Sequence, residues 1–171
     1  SLESLNLLRN YAPDYILVSW PKIIKEDVLN VPKIFCIGTH PTNLPFNRGR
    51  HPLHWIIALS IPETKLSFFK MDKGIDTGDI LLQVPFTISS DDTINDLNDK
   101  MNHAAYEGTK KLCKKIQSQP SYQGEKQNHK LANYWRKRTP HDITLDLRMP
   151  ADLIIRIVRS FTLPYPCANL I

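Results

Sequence analysis

His40 is the first residue whose place in the chain suggests chemistry. It stands just past the apolar run 33–37 (KIFCI), in a loop, 38–49, holding Pro41, Asn43, Pro45 and Asn47, a composition that resists regular structure. Such loops at the ends of sheet strands are where α/β proteins put ligand sites. A loop histidine taken alone is more often a solvated side chain; its neighbourhood is what singles this one out. Arg48, Gly49 and Arg50 follow it, and a Gly-rich acidic loop, 72–79 (DKGIDTGD), brings Asp76 after the next strand. A carboxylate hydrogen-bonded to an imidazole raises its pKa and fixes its tautomer, so the pair suits proton donation near neutral pH.

Other candidates are weaker. His51 and His54 form an HxxH pair that invites a zinc reading with His40, but no acidic or thiolate third ligand stands nearby, and no metal is expected. Asp72, Gly74, Asp76 and Asp79 miss the calcium-loop spacing and its terminal Glu. Glycine motifs for dinucleotides or P-loops are absent. Cys36, Cys113 and Cys167 are odd in number and far apart, which reads as three reduced thiols behaving as small buried hydrophobes.

The elements that must position these loops follow from periodicity. Leu2, Leu5, Leu7 and Leu8 predict an opening helix that stops before Pro13. Run 14–19 (DYILVS), ended by Trp20-Pro21, and run 33–37 predict strands on either side of the helix-like IIKEDVL. A helix from about Pro52 to Leu59 comes next, then strands over 66–71 and 80–84 flanking the Asp76 loop. The cluster Ser89 to Thr93 reads as an N-cap before Ile94, Leu97, Met101, Ala105, Leu112 and Ile116, the stripe of a long amphipathic helix. From Gln117 to Lys130 the chain is polar and reads as a connection to a small C-terminal part with a strand (TLDL) and a helix (ADLIIRIVRSF). The expected division is 1–117 as core and 118–171 as connection and substrate-side portion. Strands alternating with helices predict an α/β domain with a mostly parallel sheet.

Composition sets limits. A chain of 171 residues, 42% hydrophobic and 23% charged, fits one ordinary domain with a sizeable core. A formal net charge of +5 biases it mildly toward anionic ligands; nucleic acid is allowed but not demanded. No apolar run approaches the ~20 residues of a membrane span, and the N-terminus lacks a signal-peptide pattern, so a cytoplasmic protein without membrane contact is expected.

GTHPTNLPFNRGRHPLHW, MDKGIDTGDIL and YWRKRTPHD together resemble the folate-dependent formyltransferase family. Its signature is roughly Asn-x-His-x-Ser-x-Leu-Pro-x-x-x-Gly with a later Asp-x-Gly; His40, Thr42, Leu44, Pro45 and Gly49 fill the first part, and Asp76, Thr77 and Gly78 the second. The resemblance implies a Rossmann-like fold, here without its N-terminal strands, and 10-formyltetrahydrofolate as formyl donor to a primary amine. It implies that protonated His40 stabilises the oxyanion while Asp76 keeps the imidazole charged and helps remove the amine proton. By position, Lys22, Ile23 and Ile24, then Asp72, Lys73, Gly74 and Ile75, with Arg50, are the expected donor-binding residues. The segment YWRKRTPHD resembles the branch acting on nucleotide-linked amino sugars, which implies Lys137 and Arg138 as contacts to a diphosphate or nucleotide and a homodimer through the C-terminal part; the mild basicity of the chain predicts no nucleic-acid partner.

One departure stands out. Gly38 occupies the place of the family's Asn, and loss of one oxyanion donor typically costs ~100 to 1,000-fold in rate. A backbone N–H or Asn43 could substitute; alternatively, Gly38 answers a positive φ or a close approach. Two alternatives to the amino-sugar enzyme therefore stay open: a vestigial folate- or sugar-nucleotide-binding domain, and a fragment resembling methionyl-tRNA formyltransferase.

Overall fold

The computed structural model describes residues 2–19 and 23–170. Its centre is a four-stranded sheet in the order β1 (Tyr15–Leu17), β2 (Phe35–His40), β4 (Glu63–Lys70), β5 (Ile80–Thr87). The expected α/β domain with helices on a sheet is what forms. Among the described strands, β1 and β2 are parallel, while β2 with β4 and β4 with β5 run antiparallel. Residues 71–79 join β4 to β5 directly, and a direct connection of that length makes neighbours antiparallel.

The pleat assigns the two sheet faces. Residues opposite one another in an antiparallel pair share a face; Gly38 sits opposite Phe69 and His40 opposite Ser67. Leu66 and Phe68, alternating with Ser67 and Phe69, join Ile37 and Leu81 in a core against Ala104 and Leu112 of α4 (Ile94–Ser118). One face of β2 and β4 thus seals the core, which leaves the other to carry the cleft.

The helix α4 starts where the sequence indicates. Thr93 caps it, and Asp96 returns the bond to the Thr93 backbone, a capping box worth about 1 kcal/mol. Its buried stripe runs through Ile94, Leu97, Ala104, Gly108 and Leu112, so Ala104 rather than Ala105 is the buried alanine. The opening helix α1 (Leu2–Tyr11) forms as expected, yet buries none of its residues. The expected stop at Trp20-Pro21 lies outside the described residues.

A second core joins Leu53, Ile56 and Ile57 of α3 (Pro52–Ala58) to Ile94 and Leu97. Against α3 packs α5 (Ala151–Ser160): the ring of His54 stacks on Phe161 with centroids 4.4 Å apart, and its Nδ1–H donates to the Ser160 carbonyl at 2.5 Å. The expected TLDL strand is the short β7 (Thr144–Leu145), paired in parallel with β8 (Asn169–Leu170). A further parallel ribbon joins β3 (Arg48–Gly49) to β6 (Tyr134–Trp135), so residues beyond 118 are woven into the His40 loop. Of the cysteines, all free, Cys36 is buried, but Cys113 and Cys167 are exposed, contrary to the expected burial.

Candidate active site

His40 ends β2 on the face away from α4, almost fully buried at 5% exposure. Its loop is held from below: the Thr42 hydroxyl donates to the Phe46 carbonyl at 2.8 Å, and the Ser67 hydroxyl donates to the Thr42 carbonyl at 2.6 Å. Gln83 Nε2 donates to Ser67 Oγ and the Leu44 carbonyl, tying the loop to β5. From the other side, Asn133 makes a reciprocal amide pair with Asn47, accepting from its backbone N–H and donating to its Oδ1, each at 2.8 Å.

These ties place the Asn47 carbonyl 2.9 Å from His40 Nε2, and since a carbonyl only accepts, Nε2 carries the proton. The other ring nitrogen, Nδ1, faces Asp76 Oδ2 at 3.5 Å. Both nitrogens therefore face oxygen, Nε2–H donating to the Asn47 carbonyl and Nδ1 lying within ion-pair distance of Asp76.

Asp76 does not come from a parallel neighbour of β2, as its position after a strand-like run implies. Because β2 and β4 are antiparallel, only the fold of the 71–79 loop returns Asp76 to His40. Asp76 adopts a left-handed backbone, φ 55°, as do Asn47 (60°) and His51 (55°) in the facing loop. Non-glycine residues in this region store strain that surrounding contacts must hold. For Asp76, one such contact is the Gly49 N–H, which donates to Oδ2 at 2.8 Å. Gly49 itself has φ 108°, and a Cβ there would fall 2.3 Å from the Trp135 carbonyl, so only glycine lets β6 lie alongside.

His40 and Asp76 line a cleft of about 860 Å³, ample for a sizeable small-molecule ligand. One half is bounded by Val18, Ile23, Ile24, Gly38 and residues 71–75, which brings the expected Ile23, Ile24, Asp72, Lys73, Gly74 and Ile75 together; Arg50 lines it too. Lys22 lies outside the described residues. Ile23 and Ile75 are open to solvent, at 78% and 49% exposure, an apolar rim suited to a flat aromatic ring. Asp72 shapes the loop: its Oδ1 accepts from the Gly74 N–H at 2.9 Å and the Thr77 hydroxyl at 2.5 Å. Lys73 pairs on the surface with Glu26 of α2 (Glu26–Leu29) at 2.8 Å.

The other half is lined by residues the sequence reading gave no role there, among them Asn98 of α4, His54, Phe161 and Tyr165. Their helical or loop periodicity carries no sign of a cleft. Arg138 also lines this half, but it is buried between Trp55 and Phe161, 4.7 Å from each ring centroid, and bonds the His54 and Asp142 carbonyls. Burial lowers its pKa, partly offset by Asp142. Lys137 is exposed and does not line the cleft. His51 lines it with Nδ1 unpartnered; burial first, then Arg50, Lys137 and Arg138, lower its pKa, so the neutral ring is favoured.

Two of the alternatives for Gly38, a positive φ and substitution by Asn43, do not hold. Its φ is outside the left-handed region, and Asn43 does not line the cleft. A Cβ at 38 would instead meet Met71 and Phe69. Among the described residues, no cluster of three or more His, Cys, Asp or Glu could hold a metal, and no helix is long and apolar enough to cross a membrane.

A buried histidine and a half-buried aspartate thus face one another beside a ligand-sized cleft on one face of an α/β sheet. The chain belongs to the formyl transferase family, whose model matches residues 2–112. It is 34% identical over 96% of its length to a methionyl-tRNA formyltransferase of Marinobacter nauticus, of which it covers 52%. The chain thus spans about half the length of the curated relatives it matches. In fold it is similar to HypX from Aquifex aeolicus in complex with tetrahydrofolic acid (TM-score 0.82, 15% identity, 97% of this chain and 29% of that one). It is also similar to a sugar N-formyltransferase from Shewanella sp. (TM-score 0.76, 19% identity, 100% of this chain and 69% of that one).

Proposed function

We propose that the chain carries the donor site and acid–base pair of an N-formyltransferase that takes its formyl group from 10-formyltetrahydrofolate. The observation that carries this reading is the 3.5 Å approach of His40 Nδ1 to Asp76 Oδ2 within the cleft, in a chain of this family. The exposed apolar rim of Ile23 and Ile75 fits a pteridine-like ring, and the donor supplies an activated formyl carbon open to attack by an amine.

The chain's own residues do the rest. His40, held by Nε2–H on the Asn47 carbonyl, is the group placed to set positive charge beside the oxygen on which negative charge develops. Asp76 stabilises that charge and accepts the proton the attacking amine must lose, directly or through one water; the bond from the formyl carbon to the donor nitrogen then breaks, and that nitrogen takes up a proton as tetrahydrofolate leaves. Gly49 N–H keeps the Asp76 carboxylate in place.

For the acceptor, we infer a nucleotide-linked amino sugar. Arg50 and Arg138 line the cleft, and with the neighbouring Lys137 they set positive charge near His51, whose pKa is lowered first by burial and then by these three. Methionyl-tRNA is the second reading, favoured by the activity for which the Marinobacter relative is named. Release of tetrahydrofolate from 10-formyltetrahydrofolate, followed with UDP- and dTDP-linked amino sugars and with methionyl-tRNA, decides between them. Turnover with an amino-sugar nucleotide and none with tRNA supports the first reading; the opposite result establishes the second. No turnover with either refutes the enzyme reading and leaves a binding domain.

A further inference from the structure

Arg48 is 1% exposed, yet its side chain bonds no carboxylate. Its partners are neutral: Gln127 Oε1 receives Nε at 3.2 Å and Nη2 at 2.5 Å, the Tyr134 hydroxyl receives Nη1 at 3.0 Å, and His129 Nδ1 receives Nη2 at 3.1 Å. A buried guanidinium ordinarily needs an anion to offset its desolvation. Here the charge acts on the dipole of one amide.

The amide has no freedom left. With Oε1 taken by the guanidinium, Gln127 must turn its NH₂ the other way, and both hydrogens find acceptors: the Asp76 carbonyl at 2.9 Å and the Gly78 carbonyl at 2.6 Å. A flipped amide would set NH₂ against the guanidinium and oxygen against two carbonyls, so the network itself fixes the orientation. Gln127 is buried and every polar atom of its side chain is used.

The bonds converge on the left-handed backbone of Asp76. Consecutive residues of β3 grip it at both ends: the Gly49 N–H holds the carboxylate, and Arg48, through Gln127, holds the carbonyl. We propose that Gln127 is the positioning residue that holds Asp76 against His40, and that Arg48 acts through it. Neither side chain lines the cleft, so their effect reaches the reaction only through Asp76. This inference rests on the formyl-transfer reading for its catalytic consequence, but its geometric content does not.

Gln127→Glu is the sharpest test, because the carboxylate still accepts from Arg48 but cannot donate to the two carbonyls. The expected result is a fall in kcat of about 10–100-fold, the scale of a catalytic group displaced by about 1 Å, with KM for the donor changed less than about twofold. Independently of activity, hydrogen exchange at the Gly49 amide, resolved by NMR, should accelerate about tenfold or more as its bond to Asp76 loosens. Gln127→Met, similar in length and without donors, should show the same pair of effects and serves if the first variant does not fold. Wild-type kcat together with unchanged Gly49 exchange in a folded variant overturns the proposal. If the unaltered protein transfers no formyl group, the functional reading falls, while Gly49 exchange still decides the role of Gln127.

Discussion

Met71 fills the space beside Gly38: a Cβ added at 38 would stand 2.9 Å from Met71 Cγ and 3.0 Å from Phe69 Cζ. The position where the family signature has Asn is therefore closed by neighbours. Gly38→Asn should destabilise the fold by about 1–3 kcal/mol, the usual cost of overpacking, without raising turnover. Adding Met71→Ala should recover part of that loss by making room. Urea unfolding and turnover of the three proteins check this; a faster single variant of unchanged stability would show the site lacks only a donor.

Loss of the acid–base pair should separate activity from stability. His40→Ala is expected to reduce formyl transfer by about 10²–10⁴-fold, the range of a positioned general acid or base. Asp76→Asn keeps an acceptor for Gly49 N–H, so the loop should hold its place while turnover falls in the same range. Thermal melting beside the assay distinguishes this from unfolding, and an active His40→Ala protein would remove His40 from the mechanism.

The junction of α3 and α5 should weaken in mild acid. Burial is the main cause lowering the pKa of His54, opposed by its bond to Ser160 and reinforced by the neighbouring His51 and Arg138. A histidine whose folded value is depressed leaves stability intact above the unfolded value of about 6.5 and loses it as pH falls below that, because only the unfolded chain takes the proton readily. Urea midpoints should therefore drop between pH 7.5 and 5.5. In His54→Phe, which retains the stack on Phe161, the drop should be smaller, His51 contributing the remainder.

Asp142 acts in a lower window. The Arg136 guanidinium, followed by the backbone and hydroxyl of Thr139, holds its carboxyl well below the usual carboxylate range. The stability it gives the turn Pro140–Ile143 is present above pH ~4 and is lost as pH falls through the depressed value. Asp142→Asn should be less stable than the unaltered protein at pH 7, with the gap narrowing toward pH 2; equal acid sensitivity of the two proteins would count against this role.

What could be read from the sequence was what local chemistry repeats or caps. The stripe and N-cap of α4 and the strands around the Asp76 loop follow from periodicity and turn residues, whereas β2 runs on through Gly38 and Thr39 to His40, which the sequence places in a loop. The sequence could also pair His40 with Asp76, 36 positions apart, through the family resemblance. It could not say that β2 and β4 are antiparallel, that Met71 closes Gly38, or that Arg138 is sandwiched between aromatic rings. Nor could it find Gln127 within a polar stretch without period. Its bonds span 79 residues to Arg48 and 51 to Asp76, and contacts between groups so distant in the chain leave no periodic trace. They exist only once the β3–β6 ribbon and the 71–79 loop are packed together, where burial makes every unpaired donor costly and so selects one arrangement of the amide.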